Sequence, residues 1–432
     1  MIRAEVSDPI PIDLVNEILS RLPAKSVRRF RCVSKQWGSM LRRPYFTELF
    51  LTRSRSRPRL LFLLEGDDQW NIYSSPQTQN TYEKSSLVVA ADFNKTIRGK
   101  TYEDLCGYAS GLIYFPEGTY GDAVFNPNTG EYAILPEVEK YRKSTSFLGF
   151  DPFGKQFKVL AEGFPFCVHR DHHKTLTLGT GKLRWRSKKG CPRYNNCCSE
   201  GICINGVLYY LASTETLGDI FLGGSDDQTS YVKIVCFDVR SEKFKFIDTK
   251  GLCGRYTTGL VNYKGKLGGI SWKYAKAGFG RRTLELRMWV LEDVEKQEWS
   301  NHDYSLSDGK IVDDEVFVAG VFVAGVTSTG EIVLSMREPQ PRKPFYVFYF
   351  NPERNTLQSV EIQGFGEHLG KVKKVFVDHV EDLTLNIMKT SLPERKREAT
   401  STSTSSESHL QQDGQEQKRK PKRISTCSKA HL

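Results

Sequence analysis

Gly206-Val207-Leu208-Tyr209-Tyr210, followed by Phe237-Asp238-Val239-Arg240-Ser241-Glu242-Lys243-Phe244, is the stretch whose reading decides the fold of this chain. The first segment is a glycine leading a short apolar strand. The second is a strand ending in Phe-Asp, a polar turn, and the aromatic start of another strand, which is hairpin chemistry. Both parts recur. Gly111-Leu112-Ile113-Tyr114, Gly265-Lys266-Leu267 and Gly330-Glu331-Ile332-Val333 repeat the first. Phe125-Asn126-Pro127-Asn128-Thr129-Gly130-Glu131-Tyr132, Phe150-Asp151-Pro152-Phe153-Gly154-Lys155-Gln156-Phe157 and Phe350-Asn351-Pro352-Glu353-Arg354-Asn355-Thr356-Leu357 repeat the second, with a diverged copy at Trp289-Val290-Leu291 leading to Glu298-Trp299.

From residue 59 to 388 the chain is short apolar or alternating runs broken by Gly, Asn-Pro and Asp-Pro, an all-β texture. Four-stranded repeats of roughly 40–50 residues build propeller blades, and this region has room for about seven. The leading glycines are unevenly spaced, with room for an extra unit between Gly111 and Gly206, so six and seven blades stay unseparated. Two stacked β-sandwich domains are the alternative.

Before this region the periodicity changes from two to 3.6. Apolar residues at 14, 15, 18, 19 and 22 mark a helix entered through Pro11 and stopped by Pro23. Val27, Phe30 and Val33 mark a second helix. Ser34 is an N-cap for a third carrying Trp37, Met40 and Leu41, and Pro44 opens a further turn with Phe46, Leu49 and Phe50. Residues 5–50 thus form a three- or four-helix module, too small to bury a secure core alone, so a partner or the following domain must complete it. Between Arg21 and Arg59 twelve basic residues face one acidic residue, Glu48. Such a run suits an acidic protein or a polyanion. A nucleic-acid reading would need polar groups aimed at base edges, whereas these helices carry arginine and aliphatic residues.

Pro11-Ile12-Asp13-Leu14, Glu17-Ile18-Leu19, Arg21-Leu22-Pro23, Lys25-Ser26-Val27, Arg29-Phe30-Arg31, Val33-Ser34-Lys35 and Trp37 together resemble the F-box motif, with Ile10 where that family usually has Leu. The resemblance implies docking onto the Skp-type adaptor of a cullin-RING ubiquitin ligase. It assigns the adaptor-facing positions to Ile10, Pro11, Leu14, Ile18, Leu22, Pro23, Val27, Phe30, Val33 and Trp37. Gly111-Leu112-Ile113, Asn126-Pro127 through Leu135-Pro136, Gly149-Phe150-Asp151-Pro152, Gly206 to Tyr210, Cys236-Phe237-Asp238-Val239 and Phe376-Val377-Asp378-His379-Val380-Glu381-Asp382 resemble the F-box-associated domain of a large plant family, a kelch-like β-propeller. That resemblance implies recognition of a substrate protein for ubiquitination. The fold class expected is therefore mainly β with a small α-helical N-terminal module: a three-helix F-box, a kelch-like propeller over 59–388, and a disordered basic tail over 389–432. An adaptor-binding protein that delivers no substrate and a kelch-like propeller enzyme are the other readings.

Several classes are excluded by composition and pattern. The chain has 432 residues, 39% hydrophobic and 26% charged, a globular composition, and a net charge of +11. No apolar core of a signal peptide follows Met1, and the longest uncharged apolar stretch, Val316 to Val326, is too short for a membrane helix. The ten cysteines therefore read as reduced thiols of an intracellular protein of the nucleus, the cytoplasm or both. Gly99-Lys100-Thr101 ends like a P-loop, but Asn94 stands where its first glycine is needed. Gly364-Phe365-Gly366 reaches Gly370 one residue late for a dinucleotide fingerprint. Cys167, His169, Asp171, His172, His173, Cys191, Cys197, Cys198 and Cys203 gather zinc-type ligands without a Cys-x-x-Cys pair or tetrahedral spacing. The expectation is no catalysis, no cofactor and no metal.

Two local features remain. Val316-Phe317-Val318-Ala319-Gly320 is repeated at once as Val321-Phe322-Val323-Ala324-Gly325, and a five-residue shift reverses which side chains face inward. One copy is expected in the sheet and the other extruded. The tail after Pro393 has almost no aliphatic residues and carries Lys418, Arg419, Lys420, Lys422 and Arg423, which read either as a nuclear-localisation signal or as a solvated basic end.

Overall fold

Three of the four Gly-led segments prove to be two-residue hairpins, and the fourth, at Gly330, turns through the longer loop Ser328-Thr329-Gly330. Ser110-Gly111, Asn205-Gly206 and Lys264-Gly265 each place two successive residues at positive φ (42° and 92°, 49° and 88°, 49° and 86°). That pattern is a type I′ turn, whose twist matches the strands it joins and whose second position favours glycine. Each Phe-Asn or Phe-Asp segment is a longer turn held by its own side chain. Asn126 Oδ1 accepts from Asn128 N–H at 2.9 Å, Asp238 Oδ1 from Ser241 N–H at 2.6 Å, Asp293 Oδ1 from Glu295 N–H at 2.8 Å and Asn351 Oδ1 from Glu353 N–H at 3.0 Å. The short polar side chain thus replaces a backbone acceptor.

These turns organise six sheets in a computed structural model, which describes residues 10–67, 69–78, 87–98, 106–118, 121–138, 143–163, 173–179, 183–188, 196–197, 200–213, 232–249, 257–276, 282–307, 320–338, 343–365 and 370–385. The chain is mainly β, a six-bladed propeller preceded by four helices. The second blade holds Gly107–Ala109, Leu112–Gly118, Gly121–Asn126 and Glu131–Ile134, and the third Lys143–Asp151, Gln156–Gly163, His173–Thr177 and Arg186–Lys188. The fourth holds Ile202–Ile204, Val207–Ser213, Val232–Asp238 and Phe244–Asp248, with Asn196–Cys197 beside Val207–Ser213. The fifth holds Thr257–Tyr263, Lys266–Lys276, Arg282–Asp293 and Glu298–Ser307. The third blade is the extra unit between Gly111 and Gly206, and its first hairpin is Asp151 to Gln156, with Lys155 at φ 50°, in place of a Gly-led pair.

The ring closes by mixing its ends. The first blade is Arg59–Gly66, Gln69–Pro76 and Asp92–Arg98, and its innermost strand is Val372–His379, antiparallel to Arg59–Gly66. The sixth blade, Val321–Val326, Ile332–Met336, Phe345–Asn351 and Thr356–Gln363, in turn receives Leu87–Ala90 from the first as a parallel edge strand. Stacked blades bury both faces of each sheet, so their strands read as continuous apolar runs: Leu60 through Leu64 are all fully buried. Aromatic rings fill the gaps between blades, with Phe62 edge-on to Phe345 and Phe365 and Phe147 stacked on Tyr210 at 4.4 Å.

The second copy of the repeated pentapeptide is the strand in the sheet. Val321 and Phe322 are buried, and a bulge at Ala324 shifts the pairing from Val323 with Leu334 to Gly325 with Val333. Tyr274 pins the strand's start, accepting from Val321 N–H at 2.6 Å and donating to Val321 O at 2.8 Å. The first copy, except Gly320, lies outside the described residues.

Candidate functional site

The four helices are α1 (Ile12–Ser20), α2 (Ala24–Arg31), α3 (Lys35–Met40) and α4 (Pro44–Arg55). Ser34 caps α3, its hydroxyl accepting from Trp37 N–H at 3.2 Å, and Pro44 is the first residue of α4. The apolar set of α1 divides between two faces. Leu19 is buried and Val15 and Leu22 pack inward, whereas Ile10, Leu14 and Ile18, one turn apart, are 64%, 54% and 56% exposed. The inner face joins Val27, Leu41, Phe46 and Phe50 in one core, and Leu383 of the propeller completes it.

The ten positions assigned to the adaptor therefore separate. Ile10, Pro11, Leu14, Ile18 and Val33 are exposed, and Leu22, Pro23, Phe30 and Trp37 are half-buried, the rings of Phe30 and Trp37 stacking at 5.5 Å. Val27 is a correction: it is fully buried among Leu19, Phe46, Phe50 and Leu383 and offers a partner no surface. Periodicity marks a helix as two-faced but does not say which face meets the domain downstream. Ile12 and Tyr45, outside the assigned set, are also exposed. Each bare aliphatic side chain of the row Ile10, Leu14 and Ile18 would gain about 1.5–3 kcal/mol if it were fully covered.

The run of twelve cations is not a continuous basic face. Lys25 donates to Phe93 O at 2.5 Å and Arg28 to Asn128 O at 3.1 Å, both on the propeller. Arg31 bonds Leu41 O, Arg42 bonds Gly38 O, and Arg57 bonds Ser20 O and Arg21 O at the carboxyl end of α1. Arg21 and Arg53 share Glu17, which holds that carboxyl below the usual range through the hydrogen bond from Arg21. Arg59 reaches Ser74 and Asp92. Eight of the twelve thus serve as staples inside the molecule.

The propeller meets the helices at its ring-closing end. Glu381 Oε1 accepts from Ala24 N–H at 3.1 Å, and Glu381 N–H donates to Ser54 Oγ at 2.7 Å. Two residues earlier, buried His379 bonds Tyr108 Oη through Nδ1 and Asn128 Oδ1 through Nε2, each at 3.0 Å. Burial, reinforced by Arg59, pushes the His379 pKa down to about 3, so the ring is neutral. Leu51 and Arg55 of α4 lie at a central cavity of about 1250 Å³ lined by the inner strands of all six blades.

Residues 59–380 match the F-box associated beta propeller domain and residues 9–49 the F-box domain. The chain belongs to the F-box proteins that carry this propeller. It is 53% identical to F-box protein At3g57590 of Arabidopsis thaliana over 88% of this chain and 92% of that one, and 49% identical to F-box protein At2g16450 of the same plant over 88% and 95%. A solved structure of a Lactobacillus plantarum protein aligns at 9% identity over 74% of this F-box protein and 99% of that chain, with a TM-score of 0.35 that carries no argument.

Among the described residues no group of His, Cys, Asp and Glu is placed to hold a metal, and no helix is long and apolar enough to cross a membrane. Cys167, His169, Asp171, His172, Cys191 and Cys198 lie outside the described residues, as does the tail cluster Lys418, Arg419, Lys420, Lys422 and Arg423. His173 is buried 3.6 Å from Glu162, and Cys203 accepts from Phe150 N–H, so both sit in the packed blades.

Proposed function

We propose that this F-box protein is the substrate-recognition subunit of a Skp-cullin-F-box ubiquitin ligase. The observation that carries the reading is the row Ile10, Leu14 and Ile18, left bare on α1 while the opposite side of the helix is buried. In this reading the Skp-type adaptor covers that row together with Pro11 and Val33, and Leu22, Pro23, Phe30 and Trp37 shape the contact from beneath. The propeller holds a target protein. Ligase chemistry takes place on other subunits, and this chain contributes proximity, holding a lysine of the target near activated ubiquitin.

The bonds of Glu381 to Ala24 and Ser54, and of Lys25 and Arg28 to the propeller, support this role, because a receptor must fix the distance between adaptor and target. The protein works in the nucleus or the cytoplasm, with the tail cluster Lys418 to Arg423 as its import signal. Affinity capture from cells with the proteasome inhibited tests the reading. Recovery of a cullin with an enriched ubiquitinated protein is the expected result. A cullin alone would make the chain an adaptor-binding protein that delivers nothing, and neither would return the propeller to the enzyme reading.

A further inference from the structure

A receptor needs a surface for its target, and the charges of this molecule are unevenly spent. In the central cavity Lys374 pairs with Glu200, Lys373 lies 3.3 Å from Glu65, and the Arg337 guanidinium sits 5.0 Å from the centre of the Phe322 ring. Those cations are engaged by the protein itself. Between the third and fourth blades the balance differs. An open groove there is lined by Lys158, Arg184, Arg186 and Arg240 with Glu242 as its single carboxylate.

Glu242 organises the cluster. Its Oε1 takes Lys158 at 2.8 Å and Arg186 at 2.7 Å, and Lys188 stands 3.6 Å from Oε2. Lys158 also donates to Arg240 O at 3.4 Å. Asp238, the other carboxylate that Lys158 acts on, already accepts from Ser241 N–H at 2.6 Å. Burial opposes the charge on Glu242, yet the hydrogen bond and charge of Lys158, with Arg186 and Lys188, hold its pKa below the ordinary value. Glu242 is shared by Lys158, Arg186 and Lys188, while Arg184 and Arg240 of the same groove pair with no carboxylate among the described residues, so the groove keeps a net positive charge.

Two further features define its shape. Phe153, at the rim, is 80% exposed, and the Arg240 guanidinium lies over its ring at 5.5 Å. Arg186–Lys188 is the outermost strand of the third blade, paired with His173–Thr177 and, among the described residues, with no strand on its outer side. An outer strand offers backbone donors and acceptors to an added strand.

Resting on the receptor reading above, we infer that this groove is the target-docking surface and that it takes an extended acidic peptide segment of the target protein. The peptide adds beside Arg186–Lys188, its carboxylates meet Arg184, Arg186 and Arg240, and an apolar side chain settles on Phe153. A nucleic-acid strand fits less well, since it needs successive stacking platforms, and among the described residues Phe153 is the one exposed ring at this groove, Trp185 being half-buried with its Nε1–H donating to Pro136 O.

The test uses the full chain co-purified with a Skp-type adaptor, a random 12-residue peptide library, and the variants R184E/R240E and F153A. Both arginines are exposed and make no bond to Glu242, so unchanged thermal melting is expected and is checked first. Wild type should enrich peptides rich in Asp and Glu. Affinity for a representative enriched peptide, read by fluorescence anisotropy, should fall at least tenfold in R184E/R240E and several-fold in F153A, and should weaken with salt. Enriched peptides no more acidic than the input would overturn the inference. So would an affinity indifferent to R184E/R240E, or tighter charge-sensitive binding of a 12-nucleotide oligothymidine. Loss of the adaptor from wild type would bring down the receptor reading as well, whereas adaptor retained without acidic preference would remove this inference alone.

Discussion

Glu381 and Ala24 are 357 residues apart in sequence and joined by one hydrogen bond, the Ala24 N–H donating to Glu381 Oε1 at 3.1 Å. Ala24 is the first residue of α2, whose N-cap, Pro23, supplies no side-chain acceptor. A carboxylate from the propeller therefore does the work of a helix cap, meeting an orphan N–H and the positive end of the helix dipole. Burial raises the Glu381 pKa, against the opposing pull of Arg59, Ala24 N–H and Arg57.

This joint yields a prediction with two arms. Glu381→Ala leaves the buried Ala24 N–H without its acceptor and should cost about 1–3 kcal/mol. Glu381→Gln keeps an acceptor oxygen and removes a buried charge. A raised pKa in the native state means stability fully present below the ordinary value and lost as pH rises through the raised one. Glu381→Gln should therefore melt no lower than wild type at pH 7.5, with its advantage shrinking toward pH 4.5. Melting curves of the three proteins across that range check it, and wild-type behaviour of Glu381→Ala would refute the capping role.

His379 predicts acid sensitivity of the opposite sign. The unfolded ring takes a proton near 6.5, while the native ring resists to about 3. Stability is then complete above 6.5 and drains as pH falls, by about 1.4 kcal/mol per pH unit once well below 6.5. His379→Asn should lower stability at neutral pH and flatten this limb relative to wild type. Parallel stability curves for the two proteins between pH 7 and 5 would contradict the assignment.

The parts legible in the sequence were those with local chemistry. Gly206 and Gly265 announce hairpins because the turn needs positive φ, Asn126 and Asp238 announce Asx turns, and Ser34 announces a cap. The blade count was not legible, since the third blade turns at Asp151 without a Gly-led pair. Ring closure was not legible either. The pairing of Val372–His379 with Arg59–Gly66, and of Leu87–Ala90 with Thr356–Gln363, spans most of the propeller and leaves no local pattern. Val27 was misplaced for a related reason: the surface that buries it includes Leu383, far down the chain. The basic run between Arg21 and Arg59 looked like one face because a sequence does not display the carbonyls that Arg28, Arg31 and Arg57 reach.

The repeated pentapeptide gives a prediction independent of the F-box. Because the copies are identical, deleting 316–320 or 321–325 yields the same chain, and one copy remains to form the strand Val321–Val326. The shortened protein should melt at or above the wild-type temperature, since a longer connection costs closure entropy and the sheet loses no buried side chain. A collapse of the melting transition would mean that both copies contribute to the core.

The central claim is that the outward row of α1 docks the adaptor, and an equilibrium titration of purified Skp-type adaptor against wild type and Leu14→Ala/Ile18→Ala tests it most directly. Both side chains are more than half exposed in the isolated protein, so their truncation should leave the helical core and the propeller intact by circular dichroism. Buried aliphatic anchors at an interface centre cost about 2 kcal/mol each when truncated, which predicts a loss of affinity of roughly a thousandfold. Adaptor affinity unchanged in a folded double variant would contradict the account.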